Sequence, residues 1–309
     1  MNLNSKIFVA GHRGMVGSAL VRRLQRNGYK KILVRERSEL DLLDQRAVRD
    51  FVLEHRPDYI FIAAAKVGGI QANNSFRADF LYQNLMIEGN LIHAAHLADV
   101  QRLMFLGSSC IYPRNCQQPM KEEFLLSGPL EPTNEPYAIA KIAGIKLCEN
   151  YNRQYGRNYI SVMPTNLYGP NDNYDLANCH VLPALIRKAH EAKVRGEQEM
   201  VVWGSGLPRR EFLYVDDLAE ACVHLMTRGY DSELINIGSG VDITIRDLAI
   251  AVMKVVGFSG SLAFDIKKPD GPPRKLLDVS RITDLGWTAK TELSSGIRIA
   301  YEEAPFFNN

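Results

Sequence analysis

The stretch Lys6-Ile7-Phe8-Val9-Ala10-Gly11-His12-Arg13-Gly14-Met15-Val16-Gly17 lies near the start of a chain of 309 residues. Its first five residues form an apolar run that predicts a short strand, and Val16, Leu20 and Leu24 recur at helical spacing. Three glycines join the two elements, and glycine lets the backbone approach a pyrophosphate that rests on a helix N-terminus. The stretch therefore predicts a dinucleotide-binding turn, with a plain tight turn as the alternative.

Further along the chain, short apolar runs alternate with longer segments of helical periodicity. The runs that predict strands lie at residues 31–34, 59–63, 102–106 and 159–163. This alternation predicts an α/β fold with a Rossmann-like, doubly wound parallel sheet. The pattern loosens afterwards, so we expect residues 1–170 to form an NADP-binding domain and residues 171–309 a smaller α/β substrate lobe. Some segments around residues 200–240 are expected to return to the sheet.

Charged residues follow the second predicted strand, where dinucleotide-binding folds recognise the adenosine ribose. Residues 35–37 are Arg-Glu-Arg, and Arg13 in the glycine-rich turn adds another cation. Guanidinium groups match the geometry of a 2′-phosphate and so favour NADP(H) as the cofactor. Glu36 suits a ribose 2′-hydroxyl, so NAD remains the alternative. Asp41 is a candidate contact for adenine, and Asp44 is equally well placed to cap a helix over residues 45–55.

A tyrosine and a lysine stand four residues apart in Tyr137-Ala138-Ile139-Ala140-Lys141, directly after Pro136, which suits the first turn of a helix. On a helix their side chains share one face. A nearby ammonium lowers the pKa of a phenol from about 10, which makes a usable acid/base. Because this spacing is common, the pair alone is also compatible with an ordinary helix surface.

Ser108 follows the fourth predicted strand and is either a donor to a substrate carbonyl or a turn hydroxyl.

The composition argues against several classes of function. The net charge is +2 with Lys and Arg dispersed, so nucleic-acid binding is not indicated. No apolar run is long enough to predict a membrane span. The five cysteines are odd in number and lack a C-x-x-C pair, which fits a reducing cytoplasm better than disulfides or a zinc site. We therefore expect a cytoplasmic protein without a bound metal.

Four features coincide: the turn Gly11–Gly17, Ser108, Tyr137-x-x-x-Lys141, and Pro164-Thr165-Asn166 after the fifth predicted strand. Together they resemble the extended short-chain dehydrogenase/reductase family, and residues 210–217 and 236–240 resemble its C-terminal signatures. The resemblance implies NADPH as hydride donor and a nucleotide-sugar substrate. Residues 64–70, 107–113 and 164–173 are similar to a branch that epimerises C3 and C5 of a GDP-linked 4-keto-6-deoxymannose and then reduces C4.

The resemblance implies a catalytic role for each of five residues. A C4 ketone acidifies the hydrogens on C3 and C5, so epimerisation needs a base and an acid on opposite faces of the ring. By resemblance, Cys110 is the base and His180 the acid. Ser108 and Tyr137 stabilise the enolate oxygen, Tyr137 then protonates it, and Lys141 holds the nicotinamide ribose and keeps the pKa of Tyr137 low. The alternatives are a buried apolar role for Cys110 and an ordinary surface position for His180.

The resemblance also assigns binding residues. The implied cofactor-binding residues are Gly11, His12, Arg13, Gly14, Met15, Val16, Gly17, Arg37, Asp41, Leu42, Ala64, Leu106, Gly107, Ser108, Lys141, Pro164, Thr165, Asn166, Leu167 and His180. The implied GDP-sugar contacts are Lys188, Trp203, Arg210 and Asp270. Trp203 also suits a core position, and Asp270 suits an ordinary turn.

The resemblance further implies a homodimer in which two long helices, at residues 80–97 and 136–155, form a four-helix interface with their copies. Two other functions remain open from the sequence. One is a simple 4-reductase or 4-epimerase of another nucleotide sugar. The other is a non-catalytic sensor that binds NADP.

Overall fold

The computed structural model describes residues 1–176, 178–229, 234–268 and 270–307. The elements in chain order are β1 (Ile7–Ala10), α1 (Met15–Arg26), β2 (Ile32–Leu33), α2 (Gln45–His55), β3 (Tyr59–Ile62), α3 (Ile70–Ser75), α4 (Arg77–Leu97), β4 (Arg102–Leu106), α5 (Glu135–Tyr155), β5 (Tyr159–Pro164), β6 (Asn166–Tyr168), α6 (Val181–Val194), β7 (Glu199–Trp203), β8 (Arg209–Tyr214), α7 (Val215–Arg228), β9 (Leu234–Ile237), β10 (Asp242–Thr244), α8 (Ile245–Val256), β11 (Ser261–Asp265), β12 (Arg274–Lys275), α9 (Ser280–Asp284) and α10 (Leu293–Glu302). Within the described ranges, no helix combines the length and apolar character needed to cross a bilayer.

Six parallel strands form the central sheet in the order β2-β1-β3-β4-β5-β9. Strands β1 and β4 are largely buried on both faces, as in a sheet that helices cover on both sides. Because β2 and β3 lie on opposite sides of β1, the strand order reverses there and opens a crevice at the carboxyl ends. The predicted doubly wound fold is confirmed, although β2 is shorter than the sequence predicts.

Helices cover the sheet in two layers, each with its own core. Helices α2, α4 and α5 pack on one face, and α1 and α7 pack together on the other. Side chains along β1 point alternately to the two faces of the sheet, so Phe8 packs in the first core and Val9 in the second. Both residues are almost completely buried, which accounts for the continuous apolar run seen in the sequence.

The C-terminal lobe has its own small sheets. Strands β6, β8, β10 and β12 form one sheet, and β7 pairs with β11 in another. A third core lies among α6, α8 and α10, with Leu185, Leu248 and Ile297 at its centre. The segments between residues 200 and 240 divide between the two regions. Strand β7 stays in the lobe, whereas α7 packs on α1 and β9 pairs with β5 in the central sheet.

Local capping explains two helices that the sequence predicts. The Asp44 carboxylate accepts hydrogen bonds from the backbone N–H groups of Arg46 and Ala47 at 2.9 and 3.0 Å, so it caps α2. Helix α5 carries Pro136 in its first turn and ends at Gly156, whose φ of 64° is in the left-handed region. Both helices are confirmed, and α5 presents the tyrosine and lysine of the sequence motif.

Candidate active site

A cavity of about 980 Å³ opens at the carboxyl edge of the central sheet, where the strand order reverses. Crevices at this position are the usual ligand sites of open α/β sheets. Its wall includes these predicted cofactor residues: Gly11, His12, Arg13, Gly14, Met15, Val16, Arg37, Asp41, Leu42, Ala64, Leu106, Gly107, Ser108, Lys141, Pro164, Thr165, Asn166, Leu167 and His180. Gly17 lies behind this wall, against the backbone of Gly11.

The glycine-rich turn packs too tightly for side chains at two positions. A Cβ on Gly17 would lie 2.6 Å from the carbonyl carbon of Gly11 and 2.8 Å from the Cα of His12. Gly11 has a φ of +85°, and a Cβ there would lie 2.7 Å from the backbone nitrogen of Ala64. Among the described residues, no side chain caps α1 at Gly14, so its first N–H groups are available to an anion. This arrangement fits a dinucleotide pyrophosphate.

Two guanidinium groups stand at the cavity mouth. Arg13 forms an ion pair with Glu36, and Arg37 lies 3.8 Å from the carboxylate of Asp41. Both arginines are largely exposed, whereas Arg35 is half-buried over a phenylalanine ring of α2, 5.1 Å from its centre. The ion pair explains how Glu36 competes with a phosphate for Arg13. Arg13 and Arg37 nevertheless give this edge the cations that suit a 2′-phosphate.

Tyr137 and Lys141 lie side by side in the cavity wall, as their spacing predicts. The Lys141 ammonium nitrogen lies 5.8 Å from the centre of the Tyr137 ring and 4.5 Å from that of Phe105. The predicted direction of the tyrosine shift is wrong. Burial raises the pKa of Tyr137, and negative charge on Cys110 or Glu88, where present, raises it further. The phenol is therefore held protonated, which suits a proton donor.

The proposed base and acid have opposite pKa shifts. Burial raises the pKa of the Cys110 thiol, while Lys275, the Ser108 hydroxyl and Lys141 act to lower it. The sulfur thus has polar neighbours, although Cys110 is buried and adjoins the residues that line the cavity. Burial and the charge of Lys275 both lower the pKa of His180, which lines the cavity directly before α6. At neutral pH the free site therefore holds a thiol and a neutral imidazole.

The four predicted GDP-sugar contacts belong to the C-terminal lobe, beyond the described wall of the cavity. The Lys188 ammonium nitrogen lies 5.1 Å from the centre of the Trp203 ring, which is 56% exposed and so is not a core residue. Asp270 accepts hydrogen bonds from the backbone N–H and hydroxyl of Ser205 at 2.9 and 2.6 Å. Arg210 donates to a backbone carbonyl at 2.7 Å. The structure thus holds the aspartate and arginine firmly.

Sequence reasoning missed two residues. Lys275 pairs in register with Arg210 across β12 and β8, and its charge acts on both Cys110 and His180. It follows another basic residue, and no local pattern in the sequence distinguishes it from surface charge. Glu88 lies on the buried face of α4, with its carboxylate 3.8 Å from Lys141. Beyond Asp79 in the first turn, Glu88 is the only carboxylate of α4, and its place among apolar residues was the signal that could have revealed it.

The described residues hold no cluster of three or more His, Cys, Asp or Glu side chains that suits a metal ion. The acid/base groups, the glycine-rich turn and the strand order together define a Rossmann-type, dinucleotide-dependent oxidoreductase site. Residues 7–238 match the model of the NAD dependent epimerase/dehydratase family, and the chain belongs to this family of enzymes. The resemblance to extended short-chain dehydrogenase/reductases is thereby confirmed.

Particular relatives are similar over almost the whole chain. GDP-L-fucose synthase of Escherichia coli (strain K12) is 58% identical over 306 residues, covering 96% of this chain and 95% of that protein. GDP-L-fucose synthase 1 of Arabidopsis thaliana is 56% identical, covering 97% and 93%. Among solved structures, the Campylobacter jejuni GDP-mannoheptose C4 reductase MlghC with NADP bound has a TM-score of 0.89 and 42% identity, covering 98% and 99%.

Proposed function

We propose that this protein converts GDP-4-dehydro-6-deoxy-D-mannose to GDP-L-fucose, by epimerisation at C3 and C5 followed by NADPH-dependent reduction at C4. The high identity to proteins named GDP-L-fucose synthase supports the substrate. The structural observation that carries the proposal is the shared cavity wall, in which Ser108, Tyr137 and Lys141 meet His180 from the other lobe. A reductase without epimerase activity does not need that histidine.

NADP is the cofactor in this proposal, with residues 1–170 as its domain and residues 171–309 as the substrate lobe. A structural relative that was solved with NADP bound supports this choice. The turn Gly11–Gly17 would hold the pyrophosphate, Arg13 and Arg37 the 2′-phosphate, and Lys141 the nicotinamide ribose. When bound, NADPH supplies the hydride that reduces C4.

Epimerisation needs a thiolate and an imidazolium. The thiol and neutral imidazole of the free site carry the same number of protons as that pair, so moving one proton from Cys110 to His180 through solvent creates it. The thiolate then takes the proton from C3 or C5, which leaves an enolate, and the imidazolium donates to the opposite face. Lys275 favours the thiolate. Ser108 and Tyr137 donate hydrogen bonds to the enolate oxygen.

Reduction uses the same tyrosine. Because its pKa is raised, Tyr137 carries its proton at neutral pH and can give it to the C4 oxygen as that oxygen gains negative charge. The resulting phenolate lies beside the Lys141 ammonium, which stabilises it. One set of donors thus serves both the enolate and the alkoxide.

The lobe supplies the contacts to GDP in this proposal. Arg210 suits the pyrophosphate, because guanidinium groups bind phosphate oxygens with matched geometry. Trp203 is exposed, with Lys188 over its ring, and offers a surface for the sugar nucleotide. Asp270 is already held by Ser205, yet a carboxylate has about four acceptor positions and can still accept from guanine N–H groups.

The test supplies GDP-4-dehydro-6-deoxy-D-mannose and NADPH in deuterated water. Deuterium at both C3 and C5 of a GDP-L-fucose product is expected. Reduction without deuterium would favour a simple 4-reductase, a function that the reductase MlghC also suggests. Failure to turn over would leave a cofactor-binding sensor.

A variant test addresses the proposed base. We expect Cys110→Ser to lose isotope exchange by about 10²–10⁴-fold and hydride transfer by much less. Cys179→Ser is the control, because that half-buried thiol adjoins His180 in the sequence. Equal loss of both steps in the Cys110 variant would contradict its assignment as the base.

We also propose a homodimer formed through α4 and α5. These helices pack against each other, and their outer faces expose Tyr82, Leu85 and Ile139 to solvent. Exposed apolar side chains on neighbouring helices suit a four-helix interface with a second copy.

A reducing cytoplasm is the proposed compartment, since all five cysteines are free thiols.

A further inference from the structure

Glu88 is a buried carboxylate on α4 that points at the proposed catalytic lysine. Its Oε2 lies 3.8 Å from the ammonium nitrogen of Lys141, and the two side chains are only 3% and 2% exposed. Neither carboxylate oxygen has a hydrogen-bond partner among the described residues. Burial of such a group is costly unless a charge compensates it, so the lysine is its principal partner.

The packing around Glu88 leaves space for this contact. Helix α5 has Gly144 at the crossing, and a Cβ there would lie 3.0 Å from the carboxyl carbon of Glu88 and 2.5 Å from the Cζ atom of the Phe105 ring. Any larger residue would push against both groups. The glycine therefore lets the carboxylate and the aromatic ring both approach α5, close to the buried lysine.

The charges that face Glu88 are few and lie on α5. They are Lys141, Tyr137 and the thiol of Cys148. Lys141 and Tyr137 also face Cys110, which follows β4 and whose charge raises the pKa of both. From β4, Phe105 contributes an uncharged ring. Burial raises the pKa of Glu88, and Lys141 opposes that rise. In return, the Glu88 charge raises the pKa of Lys141 against burial, which lowers it, and also raises the pKa of Tyr137.

We propose that Glu88 is a positioning residue for C4 reduction, whose carboxylate keeps the Lys141 ammonium charged and in place behind Tyr137. The inference rests on the proposed function but concerns a residue that does not touch substrate. Without this carboxylate, a lysine enclosed by aromatic rings loses the charge that compensates it. It would then release its proton more readily, and the phenolate left by proton donation would lose its counter-ion.

The test compares Glu88→Gln, which keeps the shape and removes the charge, with Glu88→Asp, which keeps the charge. The measurement is hydride transfer at saturating substrate as a function of pH. Removal of the negative charge lowers the pKa of both Lys141 and Tyr137. The alkaline limb of the pH–rate profile is therefore expected to move to lower pH by at least about one unit. Glu88→Asp is expected to retain a limb close to that of the native protein.

A matched control is available on the same helix pair. Glu149 is also buried and pairs with Lys146 at 2.7 Å, so Glu149→Gln removes a comparable carboxylate away from Lys141. Its pH profile is expected to match that of the native protein. If Glu88→Gln lowers only the melting temperature and leaves the alkaline limb in place, Glu88 has a structural role and the proposal is wrong.

A second readout does not depend on the sugar. NADPH binding is measured by fluorescence titration across the alkaline range with no GDP-sugar added. In Glu88→Gln, the pH at which affinity declines is expected to fall by at least about one unit, because Lys141 loses its charge earlier. If the proposed sugar reaction failed while this shift appeared, the role of Glu88 would stand. An unchanged binding profile would overturn it.

Discussion

Gly17→Ala tests whether the approach of α1 to the first strand creates the cofactor site. The new Cβ would lie 2.6 Å from the carbonyl carbon of Gly11 and 2.8 Å from the Cα of His12. Carbon atoms in contact are normally about 3.5–4.0 Å apart, so the helix start and the turn must separate by about 1 Å. The opposing atoms belong to the backbone and have no rotamer with which to move aside. The substitution therefore displaces the N–H groups expected to hold the pyrophosphate.

A misplacement of about 1 Å in a positioned site costs about 10²-fold, or about 2.7 kcal/mol. We therefore expect NADPH to bind Gly17→Ala about a hundredfold more weakly in a fluorescence titration. Overpacking is expected to cost a further 1–3 kcal/mol of stability, roughly, measured by denaturant unfolding.

The control is Gly89→Ala on α4, where a Cβ would meet no described atom within 4 Å. It is expected to keep NADPH affinity, because Gly89 lies outside the glycine-rich turn. A folded Gly17→Ala protein that binds NADPH within twofold of the native protein would refute the reasoning. It would mean that the turn tolerates separation from α1.

Four further predictions concern single side chains. Lys275→Met removes a cation that lowers the pKa of Cys110. Because the free site holds Cys110 as a thiol, loss of that proton sets the alkaline limb of C3 and C5 isotope exchange. This limb, followed by NMR, is expected to move to higher pH by about one unit. Arg37→Ala is expected to weaken NADPH binding by about tenfold and leave NADH binding unchanged in parallel titrations. Leu85→Glu places a charge on the face proposed for the dimer, so it is expected to sediment as a monomer, and a native protein that already sediments as a monomer would contradict the proposed dimer. Asp44→Ala is expected to lose about 1 kcal/mol of stability in urea unfolding, because α2 loses its cap.

Most of the central sheet could be predicted because each of its strands is a local apolar run. Strand β4 matches its predicted limits and consists mainly of buried apolar residues. Strands β6, β8, β10 and β12 could not be assembled from the sequence. They have two to six residues, and their partners lie far along the chain. Their pairing depends on tertiary contacts that no local period records.

The candidate site shows the same division between local and tertiary information. Spacing along one helix brings Tyr137 and Lys141 together, and the carboxyl edge of the sheet accounts for Ser108. Spacing does not reveal burial, which outweighs the lysine and raises the pKa of Tyr137. The roles of Glu88 and Lys275 could not be predicted for a related reason, because each depends on a partner on a distant segment of the chain.

The pairing of β9 with β5 has a practical consequence for the design of truncated forms of this protein. A fragment that ends near residue 170 would lack the neighbour of β5, and its exposed backbone edge would invite aggregation. During synthesis, the ribosome must likewise pass Ile237 before the sheet can close. A single crossover near residue 170 in a chimaera of two relatives would therefore separate β5 from β9 and α1 from α7, which pack together in this fold.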